Sequence, residues 1–247
     1  MTELNPRKTR DDIKGSKDLS SLTYQATETL RDRILDLTLE PGMRLDEKFL
    51  LKKFKYGRTP MREALNRLIV EGLVETNRNR GVHVTPLNLN NVFQLFDAYV
   101  LSERMVASVL KMDEPTLVVD LEAIQKDYDK VSNSVHLLRV TEINVQFHNR
   151  LAQATQNSFI SHYSYSLHNL ARRLSYFIYQ KEDSLSHGTA NLFGRPRDDH
   201  KLIISAIEAG DRDNLIKHMT EHATFFRRRL SRLIDQSSGT DVIFTTV

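Results

Sequence analysis

Histidines placed to share one helix face are the first residues in this sequence that could do chemistry. Asn144 and His148 lie four positions apart, His218 and His222 repeat that spacing, and His200 lies between the two pairs. Residues four apart on a helix point to the same side, and histidines from neighbouring bundle helices commonly hold a divalent metal. A single histidine is more often a hydrogen-bonded or exposed residue. We keep that ordinary interpretation for His136, His162, His168 and His187.

Arginines at the start of a short helix are the second candidate. Arg58 and Arg62 flank Thr59-Pro60, where Thr59 is a suitable N-cap and Pro60 suits the first helical position. The first residues of a recognition helix contact base edges in the major groove, and arginine offers two donors to guanine. Arg80 lies in a predicted hairpin turn, where a wing reaches the DNA backbone or minor groove.

The elements around these arginines predict a winged helix-turn-helix. Apolar spacing predicts a helix over residues 24–39, a short helix over 46–54 and a third helix that ends at Gly72. Two short extended segments on either side of residues 77–81 predict a β-hairpin. We place this domain at residues 23–87, after a disordered polar arm at residues 1–22.

Beyond residue 88 the strand signals cease, and six helical stretches follow. They cover residues 91–110, 115–131, 135–156, 159–180, 199–209 and 211–234, with a long loop over Lys181–Arg197 and a flexible tail over 237–247. The predicted fold class is therefore mostly α, an N-terminal winged helix-turn-helix domain followed by an all-helical antiparallel bundle of about six helices at residues 88–236.

Composition narrows the class of protein further. The 247 residues include no cysteine, which excludes disulfides, cysteine-ligated zinc and thiol catalysis. The sequence has neither an 18-residue apolar run nor a signal-peptide pattern, so we expect no membrane span and a cytoplasmic location. Net charge is only +3, yet Lys48–Arg67 holds seven basic residues and one acid. That excess suits either a solvated face or a phosphate-facing patch.

Two groups of motifs carry a family resemblance. The run Arg58-Thr59-Pro60-Met61-Arg62-Glu63-Ala64-Leu65 resembles the head of the GntR superfamily. The motifs Asn144-Val145-Gln146-Phe147-His148 and Asp199-His200, and the segment from Gly210-Asp211 through Met219 to His222, resemble the FCD effector domain of its FadR-type subfamily. The resemblance implies bacterial transcription regulators, usually repressors, that bind pseudo-palindromic operator DNA as homodimers.

The resemblance also implies which residues contact DNA. Carried over by position, and with Arg80 added from the wing, they are Lys48, Arg58, Thr59, Arg62, Arg80 and Gly81. The turn departs from the family pattern, because Lys55-Tyr56-Gly57 stands where Gly-Val-Ser is usual.

A metal site is implied by the same resemblance, with one Asp or Asn and three His as ligands. By position these are Asn144, His148, His200 and His222, and His218 falls at a non-ligand position. Three imidazoles with one oxygen suit zinc or nickel. Asn144 stands where aspartate is commoner, so the ion loses one compensating charge.

An ion held by neutral imidazoles attracts anions, so we expect a small carboxylate-type metabolite as the effector. Arg172 and Arg173 are central on a predicted bundle helix and are candidate carboxylate partners. Tyr99 stands where the family often has an arginine, while Glu103 is retained. The predicted effector residues are Tyr99, Glu103, Arg172 and Arg173.

Three functions fit these observations. The first is a transcription regulator whose operator binding responds to a metabolite. The second is a metal-dependent hydrolase or oxygenase that uses the histidines, although no catalytic motif supports it. The third is a nucleoid-type DNA binder without an effector. We favour the first, because helix order, basic patch and histidine spacing agree with it.

Overall fold

A computed structural model describes residues 10–78, 80–87, 89–133, 136–185 and 193–236. These residues divide into two compact units, which we call the head (residues 10–34 and 38–85) and the bundle (residues 35–37 and 86–236). The predicted fold class is confirmed, because a winged helix-turn-helix precedes an all-helical unit.

The head consists of three helices and one hairpin. They are α1 (Arg10–Leu35), α2 (Glu47–Phe54), α3 (Arg58–Val70), β1 (Val74–Asn77) and β2 (Gly81–Val84). The Asp46 carboxylate caps α2 by accepting from the Phe49 amide at 3.1 Å. Gly72 follows α3 with φ of 74°, as expected of a glycine just past a helix end. The two strands are antiparallel, with Val74 opposite Val84.

The N-terminal arm differs from its prediction. Helix α1 begins at Arg10, so residues 10–22 are helical, while residues 1–9 lie outside the described residues. Residues 10–22 contain no proline, and extending an existing helix adds one hydrogen bond per residue without a new nucleus.

A small apolar core and one ion pair position α3 within the head. Leu30 and Ile34 of α1 and Met61 and Leu68 of α3 are fully buried. The Arg31 guanidinium donates to both carboxylate oxygens of Glu71, which follows α3, at 3.0 and 2.6 Å. Helix α3 is thus held by its apolar face, which leaves its other face to solvent.

The bundle consists of six helices within the described ranges. They are α4 (Leu89–Val109), α5 (Leu117–Asn133), α6 (Leu137–Gln153), α7 (Ser158–Leu185), α8 (Gly194–Glu208) and α9 (Arg212–Gln236). In these ranges no helix combines the length and apolar character needed to cross a membrane.

The long loop predicted over Lys181–Arg197 is shorter in the structure. Helix α7 continues to Leu185 and α8 begins at Gly194, which leaves residues 186–192 outside the described part. Pro196 does not prevent the early start of α8. It lies in the first turn, where backbone N–H groups have no partner within the helix, so a residue without an N–H is tolerated. The predicted tail, 237–247, also lies outside the described residues.

In the described residues the bundle core holds two large apolar clusters and a third, small one. Phe147, Ile203 and Met219 belong to the first apolar cluster. Ile143 and Phe226 belong to the second, with residues of α5 and α7. Helices α6 and α9 contribute to both clusters, so the residues between these contacts on each helix face the middle of the bundle.

We expect Leu68→Ala to lower the free energy of unfolding of the head by about 2–5 kcal/mol, because it removes a fully buried side chain from α3. Val70→Ala on the same helix is the matched control, since Val70 is 88% exposed and its loss should change stability by less than about 0.5 kcal/mol. Hydrogen exchange of α3 peptides in the full chain measures both, and equal effects would contradict this core assignment.

Candidate metal centre and recognition face

Three histidines from three helices meet in the middle of the bundle. His148 of α6, His200 of α8 and His222 of α9 are all buried, and a ring nitrogen of each lies within 4.8 Å of the other two. Two ligands that are each about 2.1 Å from one ion lie at most about 4.2 Å apart. The three rings are therefore spaced nearly as in a metal site.

Each of these imidazoles has an oxygen close to its Nδ1 atom. His200 Nδ1 lies 2.9 Å from Gln125 Oε1, His222 Nδ1 lies 3.4 Å from Asp199 Oδ2, and His148 Nδ1 lies 2.7 Å from Glu103 Oε2. The Nε2 atoms of all three rings are buried and have no hydrogen-bond partner among the described residues. Metal-binding histidines commonly have an oxygen beside one ring nitrogen and leave the second free. Here the His200 contact is a hydrogen bond, whereas those of His148 and His222 are close approaches without hydrogen-bond geometry.

Neighbouring apolar side chains hold the three rings in place. On α9, His222 lies between Met219 of the first apolar cluster and Phe226 of the second. On α6, Phe147 precedes His148 and stacks on the His200 ring, with ring centres 4.1 Å apart and planes 8° from parallel. The amphipathic patterns of the helices therefore carry the histidines inward.

Asn144 fits the same centre. It lies one turn before His148 on α6, and its Oδ1 atom is buried without a hydrogen-bond partner in the described chain. An unpaired buried amide oxygen is costly and able to coordinate a cation. His218 is partly exposed and lies outside the cluster, so between the two histidines of α9 only His222 reaches it.

Glu103 and His168 extend the centre toward α4 and α7. The two Glu103 carboxylate oxygens face different rings, at 2.7 Å from His148 Nδ1 and 2.9 Å from His168 Nε2. The His148 and His168 rings are stacked 4.7 Å apart. His168 is hydrogen-bonded, as its ordinary interpretation allows, and the structure adds that it is buried in this centre. Only its spacing of four from Arg172 could have indicated this.

Burial decides the protonation of this centre. It lowers the pKa of His148, His200 and His222, most strongly for His200, where the two neighbouring rings add to the effect. Burial alone would raise the pKa of Glu103, but the facing nitrogens of His148 and His168 outweigh it and hold that pKa well below its ordinary value. Burial therefore favours the neutral form of the three metal-site imidazoles.

A small cavity adjoins the centre between α4, α6, α7 and α9. Its lining combines apolar and polar groups, and the polar side chains include Tyr99, Thr141, Asn144, Arg172 and Ser175. The cavity has a volume of about 10 Å³, which is room for about one water molecule. Two predicted effector residues, Tyr99 and Arg172, thus lie at the cavity.

The other two predicted effector residues lie elsewhere. Glu103 is not among the residues that line the cavity, because it is engaged with His148 and His168. Arg173 is also absent from the lining and is 2% exposed, and burial lowers its pKa to about 10. Gln125 and Asp199, which sequence reasoning did not select, instead contact the metal-site histidines.

The predicted DNA-contacting residues form an exposed basic surface on the head. Lys48 of α2, Arg58, Thr59 and Arg62 of α3, and Arg80 and Gly81 of the wing are all exposed, and we call them the recognition face. Arg62 already makes a contact within the head, because its Nε atom donates to Glu47 at 3.0 Å. Gly81 has φ of 83°, which favours glycine at this turn.

The start of α3 differs in detail from its prediction. Gly57, not Thr59, is the N-cap, and Arg58 is the first helical residue. No side chain caps this end, which leaves the first amides of α3 available to an anion such as a DNA phosphate. Glycine makes this possible, because it has no side chain that competes for those amides.

The fold and its two sites define a DNA-binding transcription regulator. Residues 22–84 match the profile of bacterial regulatory proteins of the gntR family, and residues 98–225 match that of the FCD domain. The chain belongs to the GntR family, in the group whose helical unit is an FCD domain. It is accordingly a regulator and not an enzyme.

Curated relatives agree with this assignment. The chain is 32% identical to the Nta operon transcriptional regulator of Aminobacter aminovorans over 47% of its length, a match that spans 56% of that protein. It is 27% identical to the gluconate operon transcriptional repressor of Bacillus licheniformis, over 78% of each chain.

Solved structures share the fold. A GntR transcriptional regulator from Rhodococcus sp. RHA1 superposes with a TM-score of 0.68 at 21% identity, and the match covers 88% of this chain and 99% of that one. E. coli McbR/YncC gives a TM-score of 0.67 at 16% identity, over 87% and 98% of the two chains.

We expect the metal-free bundle to lose stability as pH falls below about 6.5. The pKa values of His148, His200 and His222 are lowered in the folded chain. Below about pH 6.5 the unfolded chain therefore binds more protons than the folded chain. Each such proton contributes a slope of about 1.4 kcal/mol per pH unit. Urea unfolding between about pH 7 and pH 5.5 should show this slope.

The matched variants for that measurement are His200→Asn and His162→Asn, since His162 is exposed on α7. His200→Asn should reduce the slope of unfolding free energy against pH by the contribution of about one proton, and His162→Asn should leave that slope unchanged. A flat profile in the unaltered chain would show that burial does not keep these rings neutral.

Proposed function

We propose that this protein is a homodimeric repressor whose operator binding is controlled by a small organic acid at a metal centre in the bundle. Its main support is the set of three buried histidine Nε2 atoms without partners among the described residues, beside a cavity that Arg172 lines. Buried polar groups without partners are rare in native proteins and indicate a missing ligand or ion.

The recognition face supplies the DNA contacts of the proposal. Arg58 at the start of α3 would contact bases in the major groove, Lys48 would contact phosphate, and Arg80 and Gly81 would follow the backbone from the wing. A two-fold dimer presents two such faces, which suits a pseudo-palindromic operator.

The metal centre would be formed by His148, His200, His222 and Asn144. Nitrogen-rich ligands with one oxygen suit zinc or nickel. When bound, the ion would supply positive charge and open coordination positions for a carboxylate. Arg172 and Tyr99 at the cavity would donate to the same anion, Arg172 with two parallel hydrogen bonds and Tyr99 with one, because burial raises the pKa of its hydroxyl well above the ordinary value.

The tightness of the cavity supports a coupling between effector and operator. A metabolite larger than water requires α4, α6, α7 and α9 to separate, so it binds a wider state of the bundle better than the one described. Such differential affinity is what shifts a conformational equilibrium. A relative that represses a gluconate operon supports an organic acid as the ligand class.

We expect Arg58→Ala to weaken specific operator binding by about 1–3 kcal/mol, because it removes a base contact. Arg67→Ala is the matched control, since Arg67 is exposed in the last turn of the same helix, away from its N-terminus. Electrophoretic mobility shifts against operator and scrambled DNA measure both. Unselective DNA binding by the unaltered chain would favour the nucleoid-type alternative.

We expect purified untagged protein to hold about one zinc or nickel per chain, as one set of ligands implies, and His222→Ala to lose it. Arg172→Met should keep the metal yet lose the release of operator DNA by carboxylates, because it removes the proposed anion partner and none of the proposed metal ligands. Elemental analysis and a carboxylate screen of mobility shifts measure these effects. Metal retained by His222→Ala would place the metal site elsewhere.

A further inference from the structure

Glu103 is the most deeply buried carboxylate in contact with the metal-site histidines. Its side chain is 1% exposed, and its two oxygens lie 2.7 Å from His148 Nδ1 and 2.9 Å from His168 Nε2. Ionised carboxylates are rarely buried without a positive partner, because the loss of hydration costs several kcal/mol. The ring nitrogens that lie beside these oxygens belong to imidazoles, which carry no fixed positive charge as an arginine or a lysine would.

The ligand set of the centre has the opposite imbalance. His148, His200 and His222 would coordinate the ion as neutral imidazoles, and the Asn144 amide brings no charge where an aspartate would bring one. A divalent ion held by these four groups keeps its full positive charge in an apolar environment. A buried anion and an uncompensated cation site therefore lie on opposite sides of one imidazole, that of His148.

We infer that Glu103 supplies the negative charge that Asn144, a neutral ligand, does not supply. It acts through His148, because it lies beside the ring nitrogen that would not bind the ion, and His168 holds Glu103 in place. This inference rests on the metal centre proposed above. A carboxylate on the far nitrogen of a metal-bound histidine fixes the ring and makes it a stronger donor. Glu103 is thus a positioning and charge-compensating residue, and His168 orients its second oxygen.

The other two histidines lack an equivalent partner. Gln125, which contacts His200, is a neutral amide. Asp199 lies farther from His222, at 3.4 Å, its side chain is 12% exposed, and Arg195 is 3.7 Å from the same oxygen. Solvent and Arg195 screen the negative charge of Asp199. Among these contacts, Glu103 is therefore the carboxylate whose charge is least screened.

The test compares the zinc affinity of metal-stripped full-length variants, measured by competition with a chelator. We expect Glu103→Gln to weaken zinc binding by about 10–100-fold and Glu122→Gln, the matched control at an exposed carboxylate of α5, to change it by less than about fivefold. Glu103→Gln with Asn144→Asp should return the affinity to within about fivefold of the unaltered chain, because the charge is restored on the other side of the ion.

Cobalt absorption spectra separate this role from direct ligation. The visible bands of the Co²⁺-loaded protein should be the same in the unaltered chain and in Glu103→Gln, since the ligand set does not change. Changed bands, or two ions per chain, would make Glu103 a ligand and overturn the inference. Circular dichroism and thermal melts of the metal-free variants control for folding.

Three results separate failure of the inference from failure of the proposed function. Unchanged zinc affinity in Glu103→Gln, with zinc lost in His222→Ala, overturns the inference alone. A Glu103→Gln defect that Asn144→Asp does not repair overturns it as well, because charge would then not be what Glu103 supplies. No zinc bound by the unaltered chain overturns both, since Glu103 would have failed to compensate for Asn144.

Discussion

The contact between the Glu103 carboxylate and the His148 ring is the interaction on which the bundle centre depends. A charge and several imidazoles are buried between two apolar clusters, where unpaired polar groups are costly. Each ring nitrogen near an oxygen reduces that cost, and each Nε2 left without one adds to it. The centre is therefore a site at which a cation would relieve an unfavourable arrangement.

The apolar clusters confine this centre as well as support it. Phe147 stacks on His200, and Met219 and Phe226 flank His222, so the rings have little freedom to turn away. Close packing also keeps the adjoining cavity at about the size of one water. A tightly packed core responds to a larger ligand by shifting whole helices rather than by deforming locally.

The two units use charge in opposite ways. The recognition face keeps its arginines and lysine exposed to water, where contact with a polyanion would cost little desolvation and would depend strongly on salt. The bundle centre buries Glu103 and its histidines, whose interactions are little screened by salt.

Local patterns in the sequence determined most of the architecture. Apolar spacing located the six bundle helices, and Gly72 marked the end of α3, because helix formation and termination depend on neighbouring residues. The motif around Arg58 indicated the recognition face and the family. Spacing on α6 and α9 selected His148 and either His218 or His222. Residues 10–22 and 181–185 were placed outside helices because their polar composition hides a helical preference.

Only the tertiary structure decided what surrounds those side chains. Glu103 and His168 are 65 positions apart, and Gln125 and His200 are 75 apart. No periodicity along the chain connects such residues. Whether Arg172 or Arg173 reaches the cavity depends on the rotation of α7 against its neighbours, since adjacent residues on a helix point about 100° apart. The sequence alone determined the elements and their inward faces, whereas packing between helices decided which side chains meet and which are left unpaired.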